Sequence, residues 1–470
     1  LGTRYLNEYR FFDPDPVVRK TAFELYQTVK NLPIISPHGH VEASLLFYND
    51  PFPDPAELII IPDHYVYRML YSQGIALERL GIPSVDGTEV ETDHRKIWQI
   101  FAENFYLFRG TPTGIWLQHV FSELFGIEER LNSRNAMLFY DVIQEKLKTE
   151  EFLPRSLFKK FNIEVLTTTN SPSDDLKFHR SLRSVDLGGK VIPCFRPDVL
   201  FEISKDQWKK AVAELSNQSR IEITCYRDFI KAIEARREYF KTNGCVSTDQ
   251  GIESAHAHKL SEREAEEIFS RALRGEVSAE DERRFVANMI MEMARMSSED
   301  GLVMQIHVGA MRNHNLEIYK RFGADKGGDI PVRVEFTKNL HELLNSFGNN
   351  PNFTLVVFTL DESTYARELA PLAGHYPAMK LGAPWWFHDS IEGMTRFREQ
   401  VTETSGFYNT VGFTDDSRAF LSIPARYDLS RRMDANFLAR LVARHILDID
   451  EAEQVIRDLA YQLPKKVYGL

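Results

Sequence analysis

Short apolar runs of strand length recur along the chain, each ending in polar or glycine-rich residues, with helical stretches between them. Residues 34–38 form the first, and it leads into Gly39-His40. Residues 163–169 end at Asn170-Ser171-Pro172, and residues 191–195 at Arg196-Pro197-Asp198. Residues 245–248 end at Asp249-Gln250-Gly251, and 302–306 at His307-Val308-Gly309. Residues 354–360 end at Asp361-Glu362, 379–382 before Trp385-Trp386, and 410–413 at Thr414-Asp415-Asp416-Ser417-Arg418. Eight strands alternating with helices, with chemistry gathered at the strands' C-terminal ends, predict an α/β fold of the (β/α)8 barrel type.

The stretches between carry helix punctuation. Asp15-Pro16 caps an amphipathic segment with Val17, Val18, Ala22, Phe23, Leu25, Tyr26 and Val29, and Pro33 lies beyond its end. Ser261 with Glu264, and Ser278 with Asp281, read as capping boxes, and Gly275 and Gly244 as helix stops. Residues 41–162 hold aromatic clusters and a helical pattern after Ser133, including Met137, Tyr140 and Ile143. The expected barrel is therefore distorted by a large, mostly helical insertion after strand 1. The division predicted is 1–40 for the N-terminal helix and strand 1, 41–162 for the insertion, and 163–470 for the remaining barrel with helical decorations.

Within that frame one pair of residues stands out. In an extended strand residues two apart point the same way, so His38 and His40 can aim at one point. Imidazole is the commonest metal ligand near neutral pH, which makes the pair half of a metal site. Strand 5 adds His307, and strand 8 adds Asp415 or Asp416, of which alternation lets only one face inward. Three imidazoles and a carboxylate suit Zn²⁺ or a similar divalent ion. Arg196, Arg312 and Arg418 each follow a predicted strand, and the planar guanidinium pairs bidentately with a carboxylate. Arg196 has an alternative structural partner in Asp198.

Composition narrows the classes. The 470 residues are 43% hydrophobic and 27% charged, enough for a large core. The net charge of −11 and the absence of a basic stripe argue against nucleic acid. Three cysteines without a C-x-x-C motif fit reduced thiols and a cytoplasmic setting. No apolar stretch approaches the roughly 20 residues of a membrane span. Residues 1–16, with Glu8, Asp13 and Asp15, do not read as a signal peptide.

Taken together, Pro37-His38-Gly39-His40, Asp63-His64-Tyr65 with Arg68, Phe195-Arg196-Pro197-Asp198, Val246-Ser247, the run 305–315 around His307, Trp385-Trp386-Phe387 and Asp416-Ser417-Arg418 resemble the amidohydrolase superfamily. Within it the chain is similar to the uronate isomerase family, also called glucuronate isomerase, along nearly its whole length. The family commonly has Thr-Asp-Asp-Pro after strand 2 where this chain has Thr169-Asn170-Ser171-Pro172. Leu360-Asp361 stands where many hydrolytic relatives carry a histidine, which implies a mononuclear site.

The resemblance implies an aldose–ketose isomerase: D-glucuronate to D-fructuronate and D-galacturonate to D-tagaturonate, by proton transfer between C2 and C1 through an enediol. It selects Asp416 over Asp415 and implies a metal set of His38, His40, His307 and Asp416. Asp416, His64, Tyr65 and Arg418 are the expected acid–base and charge-stabilising groups. Arg196, Arg312 and Arg418 are expected at the substrate carboxylate, and Trp385 and Trp386 as walls for the sugar. The ion expected is Zn²⁺, with its need in turnover left open. The expected partner is a small hexuronate, without membrane or nucleic acid, in a homo-oligomer. The main rival is a metal-dependent lactonase or deacylase of the same superfamily, and a second is a non-catalytic sensor of sugar acids.

Overall fold

The computed structural model describes residues 6–470, so the first five residues of the segment weighed as a signal peptide lie outside the described residues. A seven-stranded parallel sheet runs in chain order, each strand beside the next. Its members are β1 Ile34–Ser36, β2 Ile163–Asn170, β3 Lys190–Phe195, β4 Ser247–Ile252, β5 Val303–Val308, β6 Leu355–Thr359 and β7 Met379–Leu381. Helices cover its outside, and the architecture is a distorted (β/α)8 barrel. Between β1 and β2 the described chain is helical, including His64–Tyr71, His94–Glu103, Pro112–His119 and Ala136–Leu147. A separate antiparallel ribbon, Ala310–Met311 against Ile330–Pro331, was not anticipated.

The eighth position differs from expectation. Residues 410–413 do not form a strand; a single bridge joins Leu381 to Thr410. The cause is local. Gly412 (φ 77°) and Asp416 (φ 45°) take left-handed conformations, which break an extended run. A Cβ on Gly412 would lie 2.6 Å from the Leu459 carbonyl oxygen, so the C-terminal helices press directly on this segment. Further along, the segment reattaches to the barrel where the His40 amide donates to the Ser417 carbonyl at 2.9 Å.

Two strand ends also shift. β1 stops at Ser36, so His38 and His40 sit in the loop beyond it rather than alternating within the strand. β4 extends to Ile252, placing Asp249 and Gly251 inside the strand. The helix starts fare better. Asp15 accepts from the amides of Val17 and Val18, and both predicted capping boxes form, at Ser261 and Ser278. These side chains satisfy amides that the first helical turn leaves unpaired.

Two packing features set the barrel around its site. The helix Pro16–Val29 lies against the long helix Ile423–Ala443, burying Ala22, Leu25 and Val29 together with Ala435, Leu438 and Ala439. At the end opposite the histidines, the Tyr468 hydroxyl reaches inside and donates to Gln305 Oε1 at 2.8 Å. No helix among the described residues is long and apolar enough to cross a membrane.

Candidate active site

His38, His40, His307 and Asp416 meet at the C-terminal end of the barrel. His38 Nε2 lies 3.2 Å and His40 Nε2 3.0 Å from the same oxygen, Asp416 Oδ1. The His38 and His307 rings are 4.7 Å apart between centroids. All four residues are buried apart from a partly open edge at His40. Burial opposes ionisation of Asp416, but His40 and His38 hold its carboxyl well below the usual range. Burial pushes His40 down to about 4 despite Asp416, so its imidazole is neutral at physiological pH. Burial likewise lowers His307, against the pull of Asp249.

Asp249, inside β4, fixes His307. Its Oδ1 lies 2.6 Å from His307 Nδ1, which places the proton there and leaves Nε2 with a free lone pair. That Nε2 is buried with no protein partner, and so is Asp416 Oδ1 by hydrogen-bond geometry. Buried polar atoms without partners are costly, and each of these two belongs to a set of donor atoms lying within 4.8 Å of one another, His38, His40 and Asp416 in one and His38, Asp249 and His307 in the other. Either group could hold a divalent ion.

Asp416 occupies the left-handed region at φ 45°, which costs a non-glycine residue about 1–3 kcal/mol. Its neighbours hold it there. Asp415 Oδ1 accepts from Ser36 Oγ at 2.7 Å and from the Tyr427 hydroxyl at 3.0 Å. The alternation argument is thus resolved by contacts: Asp415 is tied into the wall and Asp416 faces the histidines.

Arg196 lies between two carboxylates. Its Nε is 2.7 Å from Asp198 Oδ2 and its Nη1 3.0 Å from Asp249 Oδ2. Burial raises the Asp198 carboxyl, whereas Arg196 and His307 overcome burial and hold Asp249 far down. The remaining nitrogen, Nη2, comes within 2.6 Å of the point where a Cβ on Gly251 would sit, and Arg312 Nη2 within 3.2 Å of it. The two guanidiniums so converge over a bare stretch of β4 backbone. Arg312 pairs with Asp329 at 2.6 Å and stands 5.1 Å from the Trp386 ring.

His64 and Tyr65 open a helix capped by Asp63, which accepts from the Tyr65 amide at 2.8 Å. Their rings stack at 4.9 Å, and together with Arg68, Asp325, Trp386 and Phe387 they line a small cavity. Burial, helped by Arg418, lowers His64 to about 3, so it is neutral at working pH. Burial lifts the Tyr65 phenol well above its usual range, and its hydroxyl has no protein partner. Arg418 Nη2 is 3.8 Å from Asp325 Oδ1. Trp385 packs edge-on against His307 at 4.9 Å, bracing a histidine as well as bordering the site.

A family model for glucuronate isomerase matches residues 12–468. The chain belongs to the glucuronate isomerase family. It is 51% identical over 466 residues to a uronate isomerase of Nostoc punctiforme, covering 99% of this chain and 98% of the relative. The crystal structure of glucuronate isomerase from Caulobacter crescentus superposes with a TM-score of 0.97 at 50% identity, covering 99% and 97% of the two chains. That of a Thermotoga maritima uronate isomerase gives 0.92 at 27% identity, covering 98% and 99%. As a member of the glucuronate isomerase family the chain is an enzyme, an isomerase rather than a hydrolase.

Sequence reasoning missed Asp249, Asp325 and Asp389, the last paired with the buried Arg426 at 2.8 Å. Asp249 ended a predicted strand like the other site residues and so carried a usable signal. Asp325 and Asp389 lie in loops whose sequence gives no hint of what they face.

Proposed function

We propose that the chain interconverts hexuronate aldoses and ketoses, D-glucuronate with D-fructuronate and D-galacturonate with D-tagaturonate, by moving a proton between C2 and C1. The observation that carries this reading is the ionised Asp416 beside two histidines, with Arg196 and Arg312 converging over Gly251 at the same barrel mouth. His38, His40, His307 and Asp416 would hold a divalent ion, Zn²⁺ by its nitrogen-rich donors. Such an ion, when bound, stabilises negative charge developing on the carbonyl oxygen.

The chain's own groups supply the rest. Arg196 Nη2 and Arg312 grip the substrate carboxylate and fix which end of the sugar meets Asp416. Asp416 holds one oxygen toward the histidines and uses the other to take the proton from C2 and return it to C1. Arg418 stabilises the enediolate. Tyr65, a neutral phenol, and His64, a neutral imidazole, serve the sugar hydroxyls and ring opening. Trp385 and Trp386 keep bulk water from the reacting carbons. The deciding experiment is a coupled assay on both uronates; a ketose signal without bond hydrolysis supports the reading, and saturable binding without turnover sinks it.

Two further outcomes are expected. Zn²⁺ at a hundredfold excess over its Kd should stabilise the protein by about 2.7 kcal/mol. Thermal melts with and without a chelator check this, and an unchanged melt removes the metal assignment. Gly251→Ala should raise KM for uronates roughly tenfold with a smaller effect on kcat, because the new methyl displaces Arg196 Nη2 and one charge-assisted hydrogen bond is lost. Steady-state kinetics separate the two constants, and an unchanged KM places the carboxylate elsewhere.

A further inference from the structure

We propose that Arg426, anchored by Asp389, is a positioning residue that holds the Asp416 carboxylate on its two histidines. This rests on Asp416 being the reacting carboxylate. Arg426 lies on the helix Ile423–Ala443 and does not come from a strand end. One of its nitrogens, Nη1, lies 2.8 Å from Asp389 Oδ2 and donates to the Asp415 main-chain carbonyl at 3.1 Å. Its Nε is 3.2 Å from Ser422 Oγ. The guanidinium is buried and covered by the Trp116 ring, 3.6 Å from its centroid.

The carbonyl it grips belongs to the peptide that enters Asp416. Asp416 has a left-handed backbone, and the segment around it lacks the ladder that would orient an eighth strand. Ser36 and Tyr427 hold the Asp415 side chain, and His40 holds the Ser417 carbonyl on the far side. Arg426 is the group that fixes the main chain between those two attachments. Asp389 keeps it there from the loop after β7, and Trp116 closes over it from the helical segment between β1 and β2. Three separate parts of the chain thus set the direction of one carboxylate.

The test uses full-length Arg426→Met, Arg426→Lys and Asp389→Asn, with Asp416→Asn for reference. Arg426→Met should lose kcat by about a hundredfold with KM within about threefold, the effect of a displaced reacting group. Arg426→Lys should restore part of that loss, because an ammonium can still reach Asp389 or the carbonyl. Asp389→Asn, near-isosteric and expected to fold, should lose kcat by about tenfold. Zn²⁺ affinity, read by competition with a chromophoric chelator, should fall by about tenfold in step with kcat. A purely structural role would lower Tm and leave kcat and Zn²⁺ affinity of the folded protein unchanged. Wild-type values of both in Arg426→Lys and Asp389→Asn, with Asp416→Asn inactive, overturn this inference alone. Activity in Asp416→Asn instead removes the functional reading beneath it.

Discussion

Asp416→Asn is expected to lower kcat by about a thousandfold on both uronates while the protein stays folded. The size follows from removing a positioned acid–base group, which typically contributes about 10²–10⁴-fold. The substitution is unusually clean here. Asparagine tolerates the left-handed backbone at φ 45° as well as aspartate does, so the conformation need not change. The amide keeps the volume and loses the charge that holds His38 and His40 in register. A melt close to wild type together with lost turnover is the expected pair of observations. Full activity would remove the functional reading, which rests on Asp416 as the reacting carboxylate.

The second large effect concerns Arg196. Replacing it by Met should destabilise the fold by about 3–5 kcal/mol, because Asp198 and Asp249 would be left buried without their shared cation. Arg312→Met should behave differently. Its side chain is 38% exposed and faces one carboxylate, so the stability cost should stay within about 1 kcal/mol. Its effect should appear in KM. Chemical denaturation and steady-state kinetics on the two variants separate the roles. Equal stability losses would mean that the Asp198–Arg196–Asp249 arrangement contributes little beyond an ordinary surface pair.

The contrast between these arginines also marks what the sequence could reveal. Arg196, Arg312 and Arg418 each follow a predicted strand, and that position pointed to the C-terminal end of the barrel. It could not say that Arg196 is bracketed by two carboxylates, one of them 53 residues away on β4. The strand β4 runs on past Thr248 to Ile252, beyond its predicted end, because Asp249 and Gln250 are polar and Gly251 follows them, a pattern that reads as a loop. Inside a barrel lined by chemistry such residues are buried and paired. His38, His40, His307 and the pair Asp415-Asp416 were legible as candidates because each sits beside an apolar run of strand length, and the family resemblance selected Asp416 from the pair. Asp389 and Arg426 were not, since neither lies at a strand end and their meeting depends on how a long helix packs across the barrel mouth.

The missing ladder at the eighth position has a consequence for how the molecule breathes. Residues 410–416 are secured by side chains and isolated main-chain bonds rather than by a continuous row of them. Amide protons there should exchange through local opening well below the free energy of global unfolding, while those of β2 to β6 wait for it. The opening separates Asp416 from His38 and His40, so any ligand that bridges them closes the same seam. Slowed exchange at Val411, Phe413 and Thr414 would then report occupancy of the site from the protein's own backbone.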